Sequence, residues 1–407
     1  MDTTVVAVFA VVYLGMILGG LPFLQLDRTG IALLGAIALV GLGVLSPEQA
    51  AQSIHLPTLL LLFSFMVISA QMRLGGFYTQ VTLSIADLPV SPPALLAAVI
   101  AVVGLLSAVF SNDVICLAIA PVLADACLRR RLDPVPYLLG LACAANVGSA
   151  ATLIGNPQNM LIGQVLNLSF AGYFLEAFVP VLFGLAATWG VIAWQARGRW
   201  RTILDDPAPE RRQDEPAYDR WQTAKGLAIA AALLAVFLLA EVPREVAGLT
   251  GAGLLLMSRK LHSNKMLGLV DWELLILFIG LFVVNHALAQ TGLTARAVEA
   301  LAAAGVPLSD TGPLFVATLV LSNVVSNVPA VMLLLPAATE PFSGPMLALV
   351  STLAGNLFIV GSIANIIVVD AARRRGIAID WRSHARAGVP VALVTLAITV
   401  GWFALRH

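Results

Sequence analysis

Twelve apolar segments, at 4–21, 29–46, 57–74, 94–128, 135–168, 173–195, 223–241, 246–258, 271–289, 312–339, 346–371 and 386–405, account for most of this chain. A spanning helix takes about 20 apolar residues, so the expected fold is an all-α polytopic membrane protein. Composition closes off the alternatives. Charged residues make up 11% of the 407 and hydrophobic ones 59%, where soluble domains carry roughly 25% and 45–50%. Soluble, disordered, collagen-like and disulfide-scaffold classes are excluded together. Cys116, Cys127 and Cys143 fall in apolar stretches and are expected to be small buried hydrophobes. Only Asp2, and no positive region, precedes the first segment, so it is expected to be a retained span rather than a signal sequence.

The chain repeats itself. Arg28-x6-Gly35 recurs as Arg244-x6-Gly251, and Pro57-Thr-Leu-Leu-Leu-Leu-Phe63 as Trp272-Glu-Leu-Leu-Ile-Leu-Phe278. Ser111-Asn112, with Pro121 nine residues after the Asn, recurs as Ser326-Asn327 with Pro336. These three landmarks share an offset of 215 or 216 residues. Asn146, Gly155 and Asn159 recur as Asn356, Gly361 and Asn365, with four residues fewer inside the break. Residues 1–196 therefore read as a first half, 223–407 as a second, and the polar stretch 197–222 as a cytoplasmic linker.

Each half divides into five crossings, one re-entrant hairpin (94–128 or 312–339) and, among the crossings, one broken helix (135–168 or 346–371). An odd number of crossings makes the second half enter from the opposite side, giving the inverted repeat common in secondary transporters. With both termini outside the cytoplasm of a cell inner membrane, twenty Lys and Arg fall in inner loops, and only Arg244, Arg296 and Arg406 lie outside. That split satisfies the positive-inside rule.

Helices interrupted within the hydrocarbon expose backbone N–H and C=O groups, which is tolerated where protein or a water-filled cavity satisfies them. The interruptions carry suitable residues. Ser111-Asn112-Asp113 and Ser322-Asn323-Val-Val-Ser326-Asn327-Val-Pro329 mark the hairpin tips. Asn146-Val-Gly148-Ser149-Ala-Ala-Thr152-Leu-Ile-Gly155-Asn156-Pro157-Gln158-Asn159 and Asn356-Leu-Phe-Ile-Val-Gly361-Ser362-Ile-Ala-Asn365 mark the broken helices. Asn, Ser and Thr supply neutral donors and acceptors, Gly lets backbone approach closely, and half-helix ends supply partial charge. Ser111, Asn112, Asn146, Ser149, Thr152, Asn156, Ser326, Asn327, Asn356, Ser362 and Asn365 are the expected substrate-binding residues. The competing reading is that such residues merely glue helices together, and four matched clusters weigh against it.

Asp113 is the sharpest single residue, since Val328 takes its place in the second half. A carboxylate at membrane depth is a functional hypothesis by default. With Asn112, Gly148, Gly155, Asn159 and Gly361 it forms the expected site for a coupling ion, proton or sodium. No nucleotide-binding loop, metal-ligand cluster or nucleophile elbow occurs, so no cofactor and no enzymatic activity are expected.

At these motifs the chain resembles the ion transporter superfamily, in particular the arsenite permease and sodium/proton antiporter branch related to the divalent anion–sodium symporters. The likeness covers nearly the whole chain. In the symporters a Ser-Asn-Thr motif at each hairpin tip helps bind sodium and a carboxylate, whereas here Asp113 and Val328 hold the third places. The resemblance implies an elevator-like motion of hairpins and broken helices against a scaffold, often in a homodimer. Three functions stay open: proton- or sodium-coupled movement of a small oxyacid or oxyanion, with arsenite- or silicic-acid-type efflux in front; sodium/proton antiport; and sodium-coupled uptake of a carboxylate or other anion. Expected partners are the lipid bilayer, a small-molecule or ion substrate and a second copy of the chain, with no nucleic acid.

Overall fold

A computed structural model describes residues 2–21, 24–201 and 217–406. Most of the expected linker therefore lies outside the described residues. The first half folds as α1 (Asp2–Leu18), α2 (Arg28–Gly41), α3 (Pro47–Ser53), α4 (Leu56–Leu74), α5 (Phe77–Ala86), α6 (Pro92–Val109), α7 (Asn112–Arg129), α8 (Pro134–Ser149), α9 (Pro157–Val165) and α10 (Phe170–Gln195). The second follows as α11 (Arg220–Leu239), α12 (Arg244–Leu256), α13 (Ser263–Leu267), α14 (Trp272–Gln290), α15 (Leu293–Ala303), α16 (Thr311–Val325), α17 (Asn327–Leu334), α18 (Ser343–Ala354), α19 (Ile363–Arg373) and α20 (Trp381–Arg406). Ten helices are matched by ten in the same order, down to the 26-residue last helix of each half. Six of these helices are long and apolar enough to cross a membrane. The protein is an all-α polytopic membrane protein.

Local chemistry sets the element ends. Asp27 accepts from Gly30 N to start α2, a capping box between Ser46 and Gln49 starts α3, and Asp271 accepts from Leu274 N to start α14, each satisfying N–H groups that have no partner within the helix. Gly76 and Gly292, 216 residues apart, both take positive φ (69° and 71°) to turn the chain into α5 and α15.

Packing repeats as well. α2 lies along α14 and, symmetrically, α12 along α4. A Cβ on Gly280 would meet the Ala32 backbone at 2.6 Å, and one on Gly248 would come within 3.2 Å of Ser64. These small residues occupy repeat-related positions and let the helices close, as membrane helix pairs require. With α1 and α11 they form one bundle. A second bundle comprises α6–α10 and α16–α20, in which the arms α6 and α7 both pack on α8, and α16 and α17 both pack on α18.

The symmetry fails at the arms that precede the hairpins. α5 packs along α7, with Tyr78 edge-on to Phe110 at the hairpin tip (ring centroids 5.9 Å apart, 81° between planes). Its counterpart α15 buries no residue. A cavity of about 780 Å³ instead separates α14 and α15 from the ends of α9 and α17, lined by His55, Asn285, His286, Glu299 and Met332 among others.

Candidate functional site

The interruptions fall where the sequence places them. α6 gives way to α7 through Phe110 and Ser111, α16 to α17 at Ser326, α8 to α9 across 150–156, and α18 to α19 across 355–362. Ser326 sits at φ 80° and ψ 160°, a conformation a non-glycine residue holds only where its surroundings impose it.

Asn146 is the hub. Its Nδ2 donates to Asn356 Oδ1 at 2.9 Å and Asn365 Oδ1 at 3.2 Å. Its Oδ1 accepts from Ser362 Oγ at 2.9 Å and Asn112 Nδ2 at 3.2 Å. One buried amide thus joins the first hairpin, the first broken helix and the second broken helix. Asn365 closes the second break by donating to Gly355 O and Phe358 O, and Asn112 N donates to Gly155 O at 3.2 Å.

A second network adjoins it. Asn156 caps α9 by accepting from Asn159 N, while its Nδ2 reaches Ser149 Oγ and Thr352 Oγ1. Ser149 Oγ in turn donates to Asn146 O. Asn159 Nδ2 donates to Thr152 O and the Tyr173 hydroxyl, and Gln158 donates to Thr352. Thr152 donates to Ala108 O, tying the break to the hairpin arm α6. Glycine makes this density achievable. A Cβ on Gly148 would stand 2.3 Å from Gly104 O, and one on Gly155 2.2 Å from Ser149 O. Gly361 lies against Asn323, whose Oδ1 would be 3.0 Å from an added Cβ.

Five of the fourteen buried side-chain polar atoms without hydrogen-bond partners among the described residues lie on the second hairpin and at the breaks and tips: Asn112 Oδ1, Ser322 Oγ, Asn323 Oδ1, Asn327 Oδ1 and Asn356 Nδ2. Each such group is costly unless something pairs with it. No Arg, Lys, Asp or Glu takes part in these hydrogen bonds among the described residues. Asp113, half-buried in the first turn of α7, has no hydrogen-bond or ion-pair partner among them. It stands beside Asn112 in the first turn of α7.

This arrangement of matched hairpins and broken helices carries a family signature along its length: the citrate transporter family (CitMHS) matches residues 8–354. The chain belongs to that family. Relatives span nearly all of it. A silicon efflux transporter of rice (Oryza sativa subsp. japonica) is 29% identical over 96% of this chain and 95% of its own. A 46 kDa membrane protein of Mycobacterium leprae is 29% identical over 94% and 95%, and a Dictyostelium discoideum chain bearing the name arsB is 22% identical over 93% and 87%. The crystal structure of the Alcanivorax borkumensis YdaH transporter has the same fold, with a TM-score of 0.55 and 14% identity over 99% of this chain and 96% of that one. The family and the rice relative are transporters by name.

Of the residues singled out from sequence, Asn112, Asn146, Ser149, Thr152, Asn156, Asn159, Asn356, Ser362 and Asn365 fall into the two joined networks. Gly148, Gly155 and Gly361 supply the close backbone contacts. Ser111 and Ser326 cap the hairpin tips without a side-chain bond, and Asn327 brings its Nδ2 to Gly355. Sequence reasoning passed over Thr352, Tyr173, Asn323 and His384. Asn323 lies in the motif of the second hairpin tip and Gln158 in that of the first broken helix. Tyr173 and His384 are each the fourth residue of the last helix in their half, a repeat signal that was available.

Proposed function

We propose that the protein is a secondary active transporter that moves a small oxyacid or oxyanion, arsenite or silicic acid in type, coupled to protons or sodium. The observation that carries this reading is the uncharged cluster of Asn, Ser and Thr at the two breaks and hairpin tips, with its five unpartnered polar atoms. A neutral solute rich in hydroxyls both donates and accepts, and matches such a lining. A fully charged anion finds no Arg or Lys there and would depend on helix ends or a co-bound cation. Two relatives support the choice, the rice silicon efflux transporter and the chain named arsB. The family's citrate label favours a carboxylate instead, but the replacement of Thr by Asp113 and Val328 in the paired tip motifs argues against it.

Asp113 is the coupling residue in this proposal, alternately holding and releasing a proton or sodium ion beside Asn112. Its lack of any partner also suits a second reading, sodium/proton antiport, in which the ions are the whole cargo.

The asymmetry of the repeats supports alternating access. With the Arg-rich ends of α7 and α19 in the cytoplasm of a bacterial inner membrane, α5 seals the cytoplasmic side against α7. The 780 Å³ cavity then opens outward between the two bundles. Sliding the hairpin-bearing bundle would exchange the two arrangements, an elevator-like step.

The test is proton flux in liposomes holding the purified protein and a trapped pH dye, with sodium, arsenite, silicic acid and a dicarboxylate pulsed in turn. A flux evoked by silicic acid or arsenite supports the proposal. A flux evoked by sodium alone makes the protein an antiporter, and one evoked only by the dicarboxylate returns it to the carboxylate reading.

A further inference from the structure

The last helices of the two halves buttress the breaks in the same way with different chemistry. Tyr173, fourth in α10 and 2% exposed, donates its hydroxyl to Ala150 O at 2.7 Å, at the end of α8. His384, fourth in α20 and 1% exposed, sets Nε2 3.1 Å from Asn356 O, just past the end of α18. One turn on, Gly388 admits the contact, since a Cβ there would stand 2.3 Å from Asn356 O and 2.9 Å from His384 Nε2. The Asn356 side chain is bonded to Asn146, so His384 holds from behind the residue through which the second break joins the hub.

A carbonyl accepts, so the nitrogen facing it carries the hydrogen, and Nδ1 is then the bare one. Nδ1 is buried and has no partner. A second proton would go there, creating a buried imidazolium with an N–H aimed at nothing, which is costly unless a carboxylate answers it. None does. On the same helix, Asp380 is engaged by Ser383 and Arg382 lies over Trp381, while Arg386 is exposed. Among the packed neighbours, α18 and the turn at Ile359–Gly361 carry no ionisable side chain, and Asp133 at the start of α8 accepts from Val135 N. Past the end of α10 stand Arg197 and Arg199, which disfavour a further positive charge. At the end of α19, Arg374 and Arg375 are paired with Asp370 and Asp125, and Arg373 adds another positive charge.

We infer that His384 is a proton-responsive positioning residue: the neutral imidazole holds the second break through Asn356, and protonation releases that break while Tyr173 keeps the first one fixed. Sensitivity to acid is thereby confined to one of two repeat-related supports. The contact stands on the geometry alone; only its consequence for flux rests on the proposed transport function.

The experiment is amide hydrogen exchange on the full chain in nanodiscs, between about pH 5 and pH 8, corrected for intrinsic exchange. The Nε2–H that donates to Asn356 O is present in both forms, so what weakens the contact below the ordinary imidazole range is the cost of burying the second proton's charge without a partner. In the wild type, protection across 355–362 is expected to fall accordingly, while 150–156 stays constant. His384→Gln keeps a donor without titrating and should flatten the response at 355–362, and His384→Tyr, copying the other half, should do the same if the Gln variant folds poorly. An unchanged pH response in both variants, a flat response in the wild type, or a parallel change at 150–156 overturns the inference. None of these readouts depends on which solute is carried, so they stand apart from the transport test.

Discussion

Replacing Asn146 with Ala removes the amide that joins both halves. Four hydrogen bonds are lost, to Asn112, Asn356, Asn365 and Ser362. Side-chain hydrogen bonds between membrane helices average about 0.6 kcal/mol each, so the bonds alone amount to roughly 2.4 kcal/mol. Asn365 keeps two backbone acceptors, whereas Asn356 loses its only side-chain bond and its Nδ2 is already unpaired. Stranding such buried groups adds about 1 kcal/mol, giving an expected loss of about 2–4 kcal/mol. Equilibrium unfolding in mixed micelles measures it, with Ser84→Ala, which removes two exposed bonds to Gln80 within α5, as the control expected to lie within about 0.5 kcal/mol of wild type. Solute flux should vanish in Asn146→Ala, because the two breaks no longer share a fixed geometry. A loss below about 0.5 kcal/mol together with wild-type flux would refute the claim that this amide organises the site.

Three further outcomes follow from the packing and the charges. Gly148→Ala puts a Cβ 2.3 Å from Gly104 O and should cost about 1–3 kcal/mol by forcing α8 from α6; thermal unfolding should show no such change for Gly190→Ala, which meets nothing within 4 Å. Asp125→Asn breaks the bidentate pair with Arg375 (2.6 and 3.0 Å) that clamps α7 to α19, an expected loss of about 3–5 kcal/mol, largely recovered when Arg375→Met removes the stranded charge. Asp219 caps α11, and the Gln222 backbone N–H above all, with Lys260 and the Trp221 N–H adding to it, holds its carboxyl below the usual carboxylate range. Because the folded value is the lower one, the stability it lends is present above the unfolded value and lost as pH falls through the folded one. An acid titration of unfolding should therefore lose that component in Asp219→Asn.

The breaks were legible because a polar residue inside an apolar segment has few explanations, and the repeat doubled each signal. Asn146 and Asn356 could be paired by register before any coordinates. What could not be read was which amide faces which, because the bonds from Asn146 to Asn356 and Asn365 span 210 and 219 residues and depend on how the halves dock. Thr352 escaped notice since a lone Thr in a span commonly bonds its own helix, as Thr395 and Thr399 do here. The Asp125–Arg375 clamp was hidden because each partner looked like an ordinary charge near a helix end. The failure of symmetry at α5 and α15 was illegible for another reason. Both halves encode an arm after a repeat-related glycine, Phe77-Tyr78 opening α5 where Leu293-Thr294 opens α15 and Arg296 and Glu299 follow, but neither sequence names the surface its arm packs on.

The central claim is that the uncharged cluster binds the solute while a single carboxylate couples it to the ion gradient. Asp113→Asn in proteoliposomes separates the two roles. Exchange of labelled silicic acid or arsenite at equal concentration on both sides should persist, and proton-driven accumulation of the same solute should disappear. Accumulation that survives the substitution would contradict the account.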